Sequence, residues 1–198
     1  GPILRAGEVM HQILAKPKFD LDLISLGARR IMYGLFLKVV LADNISPLVD
    51  QAFAMDPVNL SALDVITSAF LFGFQIYFDF SAYSHIAIGS ALLMGIKFPE
   101  NFNFPYMSNS PREFWQKWHI SLSSWIRDYL YLPLLGVKFQ TESIGGLGNA
   151  TEGGHQSKRN ATLVLFLTWA IMGLWHGSNW TFIFWGIYHA FFIVLLFL

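Results

Sequence analysis

The side chains able to do chemistry are few: six histidines, thirteen carboxylates, thirteen Lys and Arg, and no cysteine in 198 residues. His176, in Gly173-Leu174-Trp175-His176-Gly177, is the first candidate. It lies between two apolar runs, and from Asn160 through Leu198 there is no Asp, Glu, Lys or Arg to pair with it. An ionisable group in such surroundings reads first as functional. A dry imidazole stays neutral, as a general base must, and the flanking glycines would let another chain or a substrate come close. The other reading of His176 is a histidine bonded to the backbone of a neighbouring helix. For His189, in Trp185-Gly186-Ile187-Tyr188-His189, the structural role is favoured, because thirteen residues along a helix turn it well away from His176. His119, in Trp118-His119-Ile120-Ser121, admits both readings, and His85 and Asp79 complete the set.

Other chemistries lack their patterns. Without cysteine there is no thiol nucleophile, disulfide or thiolate metal site. No HExxH or similar ligand spacing occurs, so no metal is expected. There is no G-x-S-x-G elbow, and the glycines from Gly145 to Gly154 lack the Walker lysine and hydroxyl residue.

The elements that would carry these residues follow from where charge is missing. The chain is 54% hydrophobic and 17% aromatic but only 13% charged, with a net charge of zero, against about 25% charged for an ordinary soluble domain. A nucleic-acid partner needs a basic excess and is not expected. Apolar runs over Ala28–Ile45, Ala62–Phe80, Ser81–Ile96, Ala161–Trp175 and Trp180–Leu198 approach the ~20 residues that span a bilayer. The predicted fold class is all-α: a polytopic transmembrane helical bundle with interfacial and partly crossing helices. Arg29, Arg30 and Lys38 are expected to snorkel toward one interface, whereas Asp79 must face protein or water.

Two segments between the runs differ in kind. Gln140 to Asn160 is polar and glycine-rich and reads as a loop. In Phe98 to Tyr131, Pro99 and Pro105 interrupt any helix, and Ser110-Pro111-Arg112-Glu113 then supplies a cap with proline at the first helical position. A helix to about Leu130 is predicted. It would carry Trp115, Trp118, Leu122 and Trp125 as one aromatic stripe, opposite Lys117, Ser121, Ser124 and Asp128. Such a helix is interfacial or half-buried, and simple core packing of the same stripe is the alternative reading.

Charge asymmetry bears on topology. No Lys or Arg occurs from Val39 to Ile96, while Asp43, Asp50 and Asp56 are expected to occupy the connector after the first span and seven of the thirteen basic residues lie between Lys97 and Arg159. Both basic regions should share the cytoplasmic side, which requires an odd number of crossings between Leu60 and Lys97. About 35 residues, or roughly 52 Å of helix, is long for one span, so a re-entrant turn near Asp79 to Tyr83 is expected. The chain opens Gly1-Pro2-Ile3-Leu4 without a starting methionine and stops inside an apolar run. Residues 1–198 are therefore expected to be a portion of one multi-helix membrane domain, truncated at both ends, and its catalytic portion if the histidines act as read above.

The order of several blocks resembles the membrane-bound O-acyltransferase family, in particular its bacterial branch of alginate O-acetylation and lipoteichoic-acid D-alanylation. The blocks are Gly1-Pro2-Ile3-Leu4-Arg5, the run Tyr33 to Asp43, Tyr77-Phe78-Asp79-Phe80-Ser81-Ala82-Tyr83-Ser84, Phe98-Pro99-Glu100-Asn101-Phe102, Glu113 to Ser123, Trp125-Ile126-Arg127-Asp128-Tyr129-Leu130-Tyr131 and Gly173 to Gly177. The resemblance spans nearly the whole chain and implies that it is a fragment of that larger fold. It places the family's catalytic histidine on His176 and the second catalytic position on His119. It also implies acyl transfer from a thioester, acetyl-CoA or an acyl carrier protein, to a hydroxyl of an exported polysaccharide, with no bound cofactor. The implied setting is a multi-pass protein of the inner or plasma membrane, with a secreted or membrane-anchored acetyltransferase as partner. The chain departs from the family pattern at Ala82 and His85, where glycine and aspartate are usual, and after Leu132-Pro133, where Leu134-Leu135-Gly136 replaces a double glycine. The rival reading is a transporter or channel subunit using Asp79, His119 and His176 as a polar pathway.

Overall fold

The computed structural model describes residues 1–15, 20–137 and 158–196, with the backbone alone for 158–160. The expected loop from Gln140 lies outside the described residues up to position 157. The described secondary structure is helical, as the composition required, and the chain forms two compact units, Gly1–Asn101 and Phe102–Leu198.

The first unit opens with α1 (Ala6–Leu14). Asp20 then caps α2 (Leu21–Leu35), its carboxylate accepting from the amides of Asp22 at 2.9 Å and Leu23 at 3.3 Å. The chain continues without a break through a π-helical stretch, Phe36–Ala42, into α3 (Asp43–Ala54). Asn44 donates to the carbonyls of Val39 at 3.0 Å and Val40 at 2.9 Å, satisfying acceptors that the change of helical pitch leaves exposed. The first run thus extends past Ile45, and Asp43 and Asp50 lie on the helix rather than in a connector.

Helix α4 (Ala62–Leu93) starts at a capping box in which Ser61 and Asp64 bond each other's backbone amide. It is one continuous helix of 32 residues, about 48 Å long, so the expected turn at Asp79 to Tyr83 is absent. Nothing in that stretch removes a backbone donor, since it holds neither proline nor glycine. A single long helix meets the requirement for one crossing. Leu21–Ala54 and Ala62–Leu93 are long and apolar enough to span a membrane, and Met32, Leu63, Ile66 and Phe70 leave about two thirds or more of their surface uncovered. Helices α2 and α4 meet at glycines: a Cβ on Gly27 would lie 2.7 Å from the Gly89 carbonyl oxygen, and one on Gly89 as close to that of Gly27. Small residues let apolar helices approach backbone to backbone where lipid offers no hydrophobic drive to associate.

In the second unit, Pro105–Met107 forms a 3-10 turn. Ser110 caps α5 (Pro111–Lys117), with Pro111 in the first turn as predicted. The helix then breaks, contrary to expectation, and restarts as α6 (Ile120–Ile126), followed by a π-helical turn, Arg127–Tyr131, and α7 (Leu132–Leu134). His119 takes left-handed dihedrals, φ 43° and ψ 56°, a conformation that costs a side-chain-bearing residue ~1–2 kcal/mol. Polar groups capture the carbonyls freed by the break. The Asn103 amide donates to Lys117 O at 3.0 Å, and the Ser123 hydroxyl to Trp118 O at 3.1 Å.

The break also divides the aromatic stripe. Trp118 stacks on Phe114 and meets Phe102 edge-on, Trp115 turns toward Trp169 and Trp185, and Trp125 pairs with Tyr129. Helices α8 (Lys158–His176) and α9 (Trp180–Leu195) form a hairpin, with Asn179 capping α9 through the Thr181 amide at 3.2 Å. Its core is Trp169, Met172 and Ala190, with Trp115, Ile126 and Trp185 packed around it.

Candidate active site

His176 is the last residue of α8, immediately before the turn to α9. Its imidazole is exposed in this chain and leans on two indoles, Trp175 at 5.0 Å and Trp185 at 5.1 Å between ring centres, both edge-to-face. The glycines beside it let α9 come close. A Cβ on Gly173 would lie 2.1 Å from Phe182 O, and one on Gly177 would lie 2.3 Å from the Phe182 ring. What comes close is α9 of the same chain.

His119 is 8% exposed at the start of α6, and the Ser121 hydroxyl lies 3.5 Å from its Nδ1. The left-handed backbone at position 119 ends one short helix and begins the next, and so fixes the direction of the side chain. Burial pushes His119 down to about 4, and the nearby His176 acts in the same direction. His119 is therefore neutral at physiological pH and within electrostatic reach of His176, in the same unit.

His189 shares a ring neighbour, Trp185, with His176. The helix stops at His176 and restarts at Trp180, so periodicity carried through thirteen residues does not apply. Its ring is enclosed by Trp115 at 4.9 Å, Trp169 at 5.7 Å and Trp185 at 4.7 Å. Trp185 thus touches both histidines, a role that nothing in the one-dimensional pattern revealed.

In the first unit, Asp79 is an ion-pair partner. Lys38 Nζ donates to Asp79 Oδ1 at 2.6 Å and lies 2.9 Å from Asp43 Oδ1. The Lys38 ammonium is thus held by carboxylates on two helices. Arg30 likewise is engaged, binding Glu100 through both terminal nitrogens and lying 3.0 Å from His85 Nδ1. His85 thus serves a structural clip between α2, α4 and the segment that follows. Among the described residues, no group of three or more His, Asp or Glu side chains could hold a metal ion.

The description "MBOAT, membrane-bound O-acyltransferase family" matches residues 1–145, nearly three quarters of the chain and including His119. The chain belongs to this family. It is similar to a probable alginate O-acetylase AlgI of Azotobacter vinelandii, 43% identical over 190 residues, covering 96% of this chain and 34% of that protein. A peptidoglycan O-acetyltransferase of Helicobacter pylori is 38% identical over 192 residues, 96% of this chain and 33% of its own length. A teichoic acid D-alanyltransferase of Streptococcus thermophilus is 33% identical over 205 residues, 98% and 46% respectively. The chain spans about a third of the length of the first two relatives. Alignments over 96% of the chain extend through α8, and so include His176, which lies beyond the family match.

Proposed function

We propose that this chain is the histidine-bearing catalytic portion of a multi-pass inner-membrane O-acyltransferase that modifies an exported polysaccharide, with acetyl as the transferred group. What supports this reading is that His119 and His176 stand at the ends of separate helices of one unit, within electrostatic reach of each other. Membership of the family and relatives named for O-acetylation of alginate and peptidoglycan support the reaction class.

His176 acts as the general base. It accepts the proton of the acceptor hydroxyl as that oxygen attacks the carbonyl carbon of an acyl thioester, from acetyl-CoA or an acyl carrier protein. The carbon–sulfur bond then breaks, and the imidazolium returns the proton to the leaving thiolate. His119, neutral and buried, donates a hydrogen bond to the developing oxyanion or orients the acceptor. A dry, enclosed path in the full-length protein would limit thioester hydrolysis. A secreted or membrane-anchored acetyltransferase completes delivery to the polymer. The pairing of Asp79 with Lys38, an ammonium that Asp43 shares, weakens the rival polar pathway. In the full-length protein, His176→Ala should abolish ester groups on the exported polymer at unchanged membrane abundance; retained acylation would refute the assignment.

A further inference from the structure

Among the described residues, His176 makes ring contacts but no hydrogen bond that would set the orientation of its imidazole. A general base works only when its nitrogen is aimed, and two side-chain torsions leave an exposed imidazole free to turn. Of its two ring partners, Trp175 is 63% exposed and sits next to it in sequence. Trp185 is different in kind. It reaches across from α9 and is itself held by three further rings: Trp115 at 5.7 Å and 85°, Trp169 at 6.3 Å and 57°, and His189 at 4.7 Å and 71°.

His189 follows Trp185 by one helical turn and fills the space behind it, closing the cage against Trp115 and Trp169. The glycine next to Trp185 lets α9 lie directly on α8, since a Cβ at Gly186 would fall 2.1 Å from the Trp169 carbonyl oxygen. Backbone contact at Gly186 therefore sets the depth of Trp185, and the cage sets its rotation. It meets His176 edge-to-face at 72°, a geometry favoured by the opposite partial charges of ring edge and face.

We infer that Trp185 is a positioning residue for His176, locked from behind by the ring of His189, so that a wall of aromatic side chains aims the base in place of the hydrogen-bonded carboxylate found in many catalytic pairs. The inference rests on the acyltransferase reading of His176 and extends it to two residues of α9. His189 contributes its ring and not its nitrogens.

The test measures polymer-bound acyl ester per milligram of exported polymer in cells expressing the full-length protein, with membrane abundance measured in parallel. Trp185→Ala should lower ester content about tenfold or more at unchanged abundance, the scale of loss expected when a catalytic group is misplaced. Trp185→Phe should restore it to within about threefold of wild type, because a flat ring again fills the wall. His189→Ala should lose activity and His189→Phe regain it. Should Trp185→Ala fail to accumulate, Trp185→Leu, apolar but without a ring, is read in its place. Wild-type ester content in the Trp185 ring-deletion variant, alongside an inactive His176→Ala, overturns the inference and leaves the acyltransferase reading standing. His189→Phe as inactive as His189→Ala also overturns it, since nitrogen chemistry would then be the contribution of His189. Full acylation in His176→Ala sinks the underlying reading instead.

Discussion

Gly186→Ala isolates the contact on which the site is built. An added Cβ would lie 2.1 Å from the carbonyl oxygen of Trp169 and 2.9 Å from its carbonyl carbon. Reaching even the shortest tolerated separation of 3.0 Å requires α9 to move by 0.9 Å. The obstacle is helix backbone, so no side-chain rotation relieves it. A gap of about 0.5–1 Å between packed surfaces forfeits a quarter to a half of each atomic contact, and the surfaces affected here are those of Trp169, Met172 and Ala190. Forced over-packing of this kind costs about 1–3 kcal/mol. For a cooperative unit of about 200 residues, ~2 kcal/mol lowers the thermal midpoint by roughly 4–8 °C, and by less where the longer full-length protein melts as one unit. The matching control is Gly7→Ala on α1, where a Cβ meets nothing within 4 Å and which should be neutral or stabilising by up to ~1 kcal/mol. The assay is thermal unfolding of the purified full-length protein in detergent, read beside polymer acylation. Equal midpoints and equal acylation for the two variants would refute the argument that close backbone contact at Gly186 holds the α8–α9 hairpin.

Further outcomes follow from the other contacts. His119→Asn should be more stable than His119→Ala by roughly 1 kcal/mol in thermal melts, because asparagine tolerates the left-handed backbone; both should lose acylation. The lowered pKa of His119, about 4 against 6.5, means the unfolded chain binds the proton more readily. Stability contributed by the neutral ring is complete above pH 6.5 and is lost as pH falls toward 4, by at most about 3 kcal/mol. His119→Asn should therefore flatten the fall of the melting midpoint between pH 6.5 and 4.5, and an unchanged slope would contradict the assigned burial. Lys38→Met leaves Asp79 and Asp43 without their shared cation. It should reduce membrane accumulation, with partial recovery in Lys38→Met/Asp79→Asn, as quantitative immunoblotting of membranes would show. Arg30→Lys should lower the melting midpoint despite conserving charge, because an ammonium cannot reproduce the two-nitrogen contact with Glu100.

Several local features were legible because their causes are local. Ser110-Pro111 sets the start of α5 through a hydroxyl three residues from the amide it caps. The absence of charge after Arg159 is enough to make α8 and α9 apolar helices. The break at His119 was not legible, since neither glycine nor proline marks it and the groups that sustain it include the amide of Asn103, distant in sequence. The fate of Asp79 was equally hidden, because its neutralising cation lies 41 residues away on another helix.

By itself, the sequence determined that this chain is helical, apolar and built for a membrane, and it singled out His176 and His119 as candidates for catalysis. Those conclusions depend on composition, short spacings and recognisable blocks, which need no knowledge of what touches what. Only the tertiary structure decided that His119 ends a helix in a strained backbone, that Lys38 answers Asp79, and that Trp185 stands between His176 and His189. Each of these is a contact between residues brought together by helix packing. The decisive element for the last is an atom that is not there: without a Cβ at Gly186, α9 settles onto α8 and carries Trp185 against the imidazole.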